Sequence, residues 1–133
     1  MILLDTTFLI DLLREKKNAI SKAIELTTRD KLSTTYINIY ELLIGVYSIK
    51  DTDKEKKLQD VEKLMEKLEV FTLEKESTIN SAKIGGDLIL KGQVIGDTDN
   101  MIIGIALTNG ITTIITRDVE HYKKIKEIKV ETY

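Results

Sequence analysis

Asp5, Glu41, Asp97, Asp99 and Asp118 are acids set against apolar sequence. Asp5 ends the run Ile2-Leu3-Leu4 and is followed by Thr6-Thr7; Asp118 follows the β-rich run Ile111–Thr116 with the same grammar of apolar strand, acid, helix. Asp97 and Asp99 stand at the entrance of an almost wholly apolar helical stretch that Asn109-Gly110 closes. Several carboxylates in one pocket repel, and without a counter-charge one or more would take up a proton. A divalent cation removes that cost. The chain has no cysteine and one histidine, His121, so any metal must be held by oxygen, which suits Mg²⁺ or Mn²⁺ better than zinc. Such a cation can generate a hydroxide-like water and stabilise the leaving oxygen of a phosphodiester.

Each acid also has a plainer reading. Asp5 or Thr6 can cap the helix that follows, and once Asp5 is assigned to the cluster Thr6 is the better cap. Asn38, Glu41, Gly45 and Ser48 fall on one stripe of a helix that is apolar elsewhere, so Glu41 is either a site acid or part of a solvent-facing edge. Asp97 is either an outer ligand or a helix cap. His121, among Glu120, Tyr122 and Lys123, reads as a surface or packing residue. Arg14, Lys16, Lys17 and Arg117 are candidate phosphate contacts by proximity in sequence alone.

The elements that must position these residues follow from periodicity. Ile2–Leu4, Lys31–Thr35, Val70–Leu73, Ile111–Thr116 and Ile128–Val130 read as strands. Between them the helical spacing covers Phe8–Arg14, Asn18–Thr27, Tyr36–Ile49, Asp51–Glu69, Glu74–Lys91 and Asn100–Leu107, with a short helix starting at Asp118. Residues 36–69 form a helical hairpin; its first helix reads as mostly interior and its second as amphipathic with a solvated charged face. Gly85-Gly86 falls inside a helix, where it allows close packing onto the sheet. Alternating strands and helices predict an α/β fold with a mostly parallel sheet of about five strands between helical layers. In such a sheet the strand ends and the following helix starts share one edge, so acids distant in sequence can meet.

Composition excludes several classes. At 133 residues, with no linker or repeat, residues 1–133 read as a single domain, and no apolar run is long enough to span a bilayer. Asp5 interrupts the N-terminal apolar run and no basic segment precedes it, so a signal peptide is not expected and a soluble cytoplasmic protein is. A net charge of −2 and a pI near 5.5 argue against a broad basic face for nucleic acid, but not against an enzyme that meets phosphate through cations. No GxxxxGK[ST], GxGxxG or GxSxG motif is present. The DxDx[TV] pattern of haloacid-dehalogenase-like phosphatases is missing its second aspartate, because Asp5 is followed by Thr6-Thr7.

Four segments in order resemble the PIN-domain ribonucleases, especially the VapC-type toxins of toxin–antitoxin pairs. They are Ile2-Leu3-Leu4-Asp5-Thr6-Thr7, Tyr40-Glu41-Leu42-Leu43-Ile44-Gly45-Val46, Ile95-Gly96-Asp97-Thr98-Asp99 running on to Ala106, and Thr116-Arg117-Asp118. Together they span essentially the whole chain. The resemblance implies a PIN-like α/β/α fold and metal-dependent hydrolysis of RNA. It implies that Asp5, Glu41 and Asp99 are the principal metal-site acids and that Asp118 completes the site. Thr6 and Thr116 match supporting positions, Asp97 is variable in the family, and Gly104 stands where Ala is more usual. It further implies Mg²⁺ or Mn²⁺ as cofactor, an RNA substrate, a homodimer and a small antitoxin, with partner contacts on the hairpin. The readings to weigh against it are an RNA-processing nuclease without an antitoxin and a catalytically silent PIN-like binding module.

Overall fold

The computed structural model describes residues 1–50 and 53–133. In chain order the elements are β1 (Ile2–Leu4), α1 (Thr6–Leu13), α2 (Lys17–Thr27), β2 (Leu32–Thr35), α3 (Tyr36–Tyr47), α4 (Lys54–Glu66), β3 (Glu69–Phe71), α5 (Lys75–Leu90), α6 (Asp97–Thr108), β4 (Thr113–Ile115), α7 (Val119–Tyr122) and β5 (Lys129–Glu131). The five strands form one sheet in the order β3-β2-β1-β4-β5, and every pairing is parallel. β1 is central, with Leu3 opposite Ser33 on one side and Ile114 on the other. The chain moves from β1 to β2 and β3 on one flank and later to β4 and β5 on the opposite flank. That reversal leaves a crevice beyond the carboxyl ends of β1 and β4, where open α/β sheets bind ligands.

The pleat of β1 divides the core into two layers. Ile2 and Leu4 join Phe8, Leu9, Ala19, Leu26, Ile39, Leu42 and Val61 on the face covered by α1 to α4. Leu3 points the other way, into Leu88, Ile102, Ile103, Ala106, Ile114 and Tyr122 under α5, α6 and α7. The arrangement is α/β/α, as the alternation predicts.

Several boundaries differ from those the periodicity predicts. The predicted helix start at Asp51 lies outside the described residues, and α4 begins at Lys54. α6 begins at Asp97, so both of its aspartates lie within the first turn, where acids complement the helix dipole. α3 is not wholly interior: Tyr36, Tyr40, Ile44 and Tyr47 are about half exposed and share one face. Only Asn38, Ile39 and Leu42 of α3 are buried.

The glycine pair does not bring α5 onto the sheet. A Cβ at Gly85 would meet Asn100 of α6 at 3.2 Å, while Gly86 faces open space. α5 and α6 pack closely at Gly104, where a Cβ would come within 1.9 Å of Ser81 Oγ and 2.8 Å of the Ser77 carbonyl.

Candidate functional site

The carboxylate of Asp5 is the centre of a hydrogen-bonded cluster at the β1–β4 edge. Asp5 occupies the N-cap position of α1, yet its side chain makes no cap hydrogen bond. The carboxylate turns inward and is 5% exposed. Oδ1 accepts from Tyr122 Oη at 2.8 Å and Asn38 Nδ2 at 3.2 Å; Oδ2 accepts from Thr116 Oγ1 at 2.7 Å and Thr7 Oγ1 at 3.3 Å. Four neutral donors from separate parts of the chain therefore hold one buried charge, which would otherwise be costly.

Thr6, expected as the cap, does a different job. It is the first residue of α1, and its hydroxyl donates to Glu41 Oε2 while accepting from Asn38 Nδ2 at 3.0 Å. Asn38 is itself fixed by Thr35, which caps α3 in a reciprocal capping box: Asn38 Oδ1 accepts from Thr35 Oγ1 at 2.7 Å and from its N–H at 3.2 Å. The order Thr35, Asn38, Thr6, Glu41 thus sets the acid of α3 relative to Asp5. The stripe read from sequence runs from the cluster outward, with Asn38 buried, Glu41 half-buried and Gly45 and Ser48 exposed.

Asp99 comes in from α6 on the opposite side. Its Oδ1 lies 3.5 Å from Tyr122 Oη, and its Oδ2 lies 2.8 Å from His121 Nδ1. Burial pushes its carboxyl above the usual range; the charge of His121 opposes that, and those of Asp5 and Glu41 add to it. Tyr122 is pushed well above the usual phenol range, first by burial and then by Asp5 and Asp99, so it stays a neutral donor between the two. Asp118 caps no helix with its side chain; its N–H donates to Thr116 Oγ1 at 2.9 Å, and its Oδ2 lies 3.1 Å from His121 Nδ1.

Asp5, Glu41, Asp99 and Asp118 therefore stand around one crevice, with Thr6 and Thr116 between them. Among the described residues, no group of three or more His, Cys, Asp or Glu side chains is already gathered as a cation cage. Each acid is instead engaged by hydroxyl, amide or imidazole groups. Asp97 does not join them. Gly96 is the N-cap of α6, so Asp97 is not the cap, and it lies exposed on a groove with Gly85, Gly86 and Met101.

Sequence reasoning missed Asn38, Tyr122 and His121. Asn38 lies on the stripe that carries Glu41, a signal that could have found it, and His121, read as surface or packing, instead joins two of the acids. The basic candidates divide. Lys16 and Arg117 are both paired with Asp11, a carboxylate of α1 that is 1% exposed, at 2.7 and 3.0 Å. Burial alone would raise that carboxyl; hydrogen bonds from Lys16 and Tyr133 and the charge of Arg117 bring it below the usual range. Lys17 is exposed at the start of α2. Arg14 lies at the rim of a cleft of about 240 Å³ that Glu41 also lines, with Ile10, Leu42, Val46 and Val61 as its floor.

Comparison with known proteins bears on the family and the fold. The profile of the PIN domain family matches residues 2–127. A tRNA(fMet)-specific endonuclease VapC of Salmonella typhimurium is 28% identical over 131 residues, covering 98% of this chain and 96% of the relative. The solved structure of DNA-bound VapBC from Salmonella typhimurium superposes with a TM-score of 0.84 at 28% identity, over 99% of this chain and 98% of that one. The promoter-DNA-bound VapBC2 structure from Rickettsia felis gives a TM-score of 0.87 at 21% identity, over 100% and 99% of the two chains, a likeness of fold.

Proposed function

This chain belongs to the PIN-domain family, and from that premise we propose that it is a divalent-metal-dependent endoribonuclease, the toxin half of a toxin–antitoxin pair. The observation that carries the reading is the meeting of Asp5, Glu41 and Asp99 at the switch point of the sheet. They come from the end of β1, α3 and α6 and are linked through Thr6, Asn38 and Tyr122. The relatives named as VapC endonucleases support the reaction class, and the VapBC complexes support a protein antitoxin as partner.

The donor set fits Mg²⁺ or Mn²⁺ by its chemistry: carboxylate oxygens dominate, with no thiolate. Asp5, Glu41 and Asp99 would hold the cation, directly or through water. A bound cation supplies an activated water and charge stabilisation at the phosphodiester. The chain's own residues do the rest. Thr6 orients Glu41, and Asn38, Thr116 and Tyr122 orient Asp5. Asp118, on the open side, would position the attacking water or help hold a second cation. The outer groups have room to meet RNA, because the side chains of Asp118 and His121 are 42% and 47% exposed.

The apolar stripe Tyr36, Tyr40, Ile44 and Tyr47 on α3 is the surface we assign to protein contacts, with a homodimer as the expected assembly. No helix among the described residues is long and apolar enough to cross a membrane. An RNA substrate makes the cytoplasm the expected place of action.

The test is cleavage of a panel of RNAs by the purified chain. Activity should need Mg²⁺ or Mn²⁺ and vanish with a chelator. Asp5→Asn should lower it by more than the roughly 10–100-fold that outer-shell changes cost metal sites. Wild-type cleavage by Asp5→Asn would sink the assignment.

A further inference from the structure

Asp11 is the buried carboxylate of α1, 1% exposed and outside the cluster of acids. Its six-residue offset from Asp5 places it about 9 Å further along the helix axis. Three groups converge on it. Lys16 Nζ lies 2.7 Å from Oδ1, Arg117 Nε lies 3.0 Å from Oδ2, and Tyr133 Oη donates to Oδ2 at 2.7 Å. One cation offsets one buried charge; the second leaves the group with one positive charge in excess. That second cation is fixed at the acids. The Arg117 N–H donates to Thr7 Oγ1 at 3.0 Å, Thr116 before it donates to Asp5 Oδ2 at 2.7 Å, and Asp118 follows it. Nε carries only one of the five N–H donors of a guanidinium, and the terminal nitrogens carry the rest of a fork that matches phosphate. The side chains of Arg117 and Lys16 are 47% and 42% exposed. Residues 11–17 and Arg117 together hold four cations against two acids, in a chain whose net charge is −2.

We propose that Asp11 seats Arg117 and Lys16 as a phosphate clamp that holds the RNA backbone beside the scissile bond. The proposal rests on the nuclease reading above. Asp11 is the positioning residue, and the two cations touch the substrate. Asp5, Glu41, Asp99 and Asp118 repel a polyanion, so a strand entering the crevice needs positive charge next to them, and the clamp supplies it about one helical turn and a half away. Contacts to phosphate carry no sequence information, so the clamp raises affinity for different RNAs alike. An ion pair that only closes the charge of Asp11 would take no part in counterion release from RNA, and salt dependence separates the two roles.

The experiment is binding of fluorescent single-stranded RNA oligonucleotides to the full-length chain, in chelator so that no metal-dependent cleavage proceeds, across a range of NaCl concentrations. Arg117→Gln and Lys16→Gln should each flatten the slope of log Kd against log salt by about 0.7, the value for one phosphate contact on a single strand. Arg117→Gln should weaken binding at low salt by about tenfold, equally for oligonucleotides of different sequence. Arg117→Lys, which keeps the charge, should keep the slope. Lys83→Gln removes the same charge from an exposed position of α5 and should leave the slope as in wild type. In cleavage assays with Mn²⁺ the defect of Arg117→Gln should lie in KM. Lys16→Gln leaves Arg117 and Tyr133 on Asp11, so it decides if Arg117→Gln does not fold by circular dichroism. Wild-type slopes in both variants, with only a lowered melting midpoint, overturn the clamp. If Asp5-dependent cleavage survives that result, only the clamp fails. If the slopes change as expected but no RNA is cut with Mg²⁺ or Mn²⁺, the nuclease reading fails and the clamp stands. A wild-type chain that neither binds nor cuts RNA overturns both.

Discussion

Replacing Tyr122 by Phe asks whether the acids are held as one network. Tyr122 is 1% exposed, and its hydroxyl donates to Asp5 Oδ1 at 2.8 Å. Phe keeps the ring among Ile102, Ile114 and their neighbours, so packing changes little beyond the hydroxyl. What is lost is a hydrogen bond to a buried carboxylate, a class worth about 1.5–3 kcal/mol. Asp5 keeps Asn38, Thr116 and Thr7 as donors, which favours the lower part of that range, about 2 kcal/mol. At roughly 2.1 cal/mol/K per residue, a 133-residue chain loses 1 kcal/mol for every 3–4 °C or so, and the melting midpoint should fall by roughly 7 °C.

The same substitution should lower RNA cleavage by about 10–100-fold, the usual cost of removing an outer-shell partner at a metal site. Thermal melting in cation-free buffer and a cleavage assay well below the midpoint read the two effects separately. A midpoint within about 2 °C of wild type, where some 7 °C is expected, would show that the hydroxyl does not hold Asp5. A lowered midpoint with undiminished cleavage would refute the positioning role and leave only a packing one.

Two further outcomes follow from the same geometry. Asp99 keeps its proton to higher pH in the folded than in the unfolded chain, so without cations stability should rise as pH falls through its native value toward 3.8. Asp99→Asn should accordingly melt higher than wild type at neutral pH without cations, and added Mn²⁺ should raise wild type but not the variant. Gly104→Ala gains about 1 kcal/mol of helix propensity but drives a methyl to 1.9 Å from Ser81 Oγ and 2.8 Å from Ser81 N and Ser77 O. Overpacking of about 1–3 kcal/mol or more should win, and urea unfolding should show Ser81→Ala restoring only part of it, because the backbone contact remains.

The fold was readable because the chain keeps its elements short and alternating. Ile2-Leu3-Leu4 is apolar at every position because β1 is central and buried on both faces, the pattern of a parallel strand. Where the reading slipped, tertiary context decided. Tyr36, Tyr40, Ile44 and Tyr47 look like core by type, yet they leave one face of α3 open. Composition does not say which apolar face meets the sheet and which meets solvent or a partner. Gly85-Gly86 stands out as a pair, but the close approach belongs to Gly104, because what matters is the facing residues Ser77 and Ser81 on another helix.

The acids were legible for a physical reason that does not extend to their supports. A carboxylate at the end of an apolar strand breaks a pattern, so Asp5 and Asp118 announce themselves; a Tyr or Asn beside it breaks none. α7 shows the consequence. It has only four residues, Val119–Tyr122, too few to carry a periodic signal. Yet adjacent helical residues point about 100° apart, and here His121 and Tyr122 reach Asp99 from two directions, one at each oxygen. Asp118, at the N-cap of the same turn, meets His121 as well. One short turn after β4 therefore carries a hydrogen-bond donor for Asp5, an imidazole nitrogen beside Asp99 and an acid of its own. The outer wall of the site should respond as a unit: a substitution that shifts α7 should change Asp5, Asp99 and Asp118 together, and cation affinity measured on Asp5→Asn, Asp99→Asn and Asp118→Asn backgrounds should then show coupling to α7 in all three.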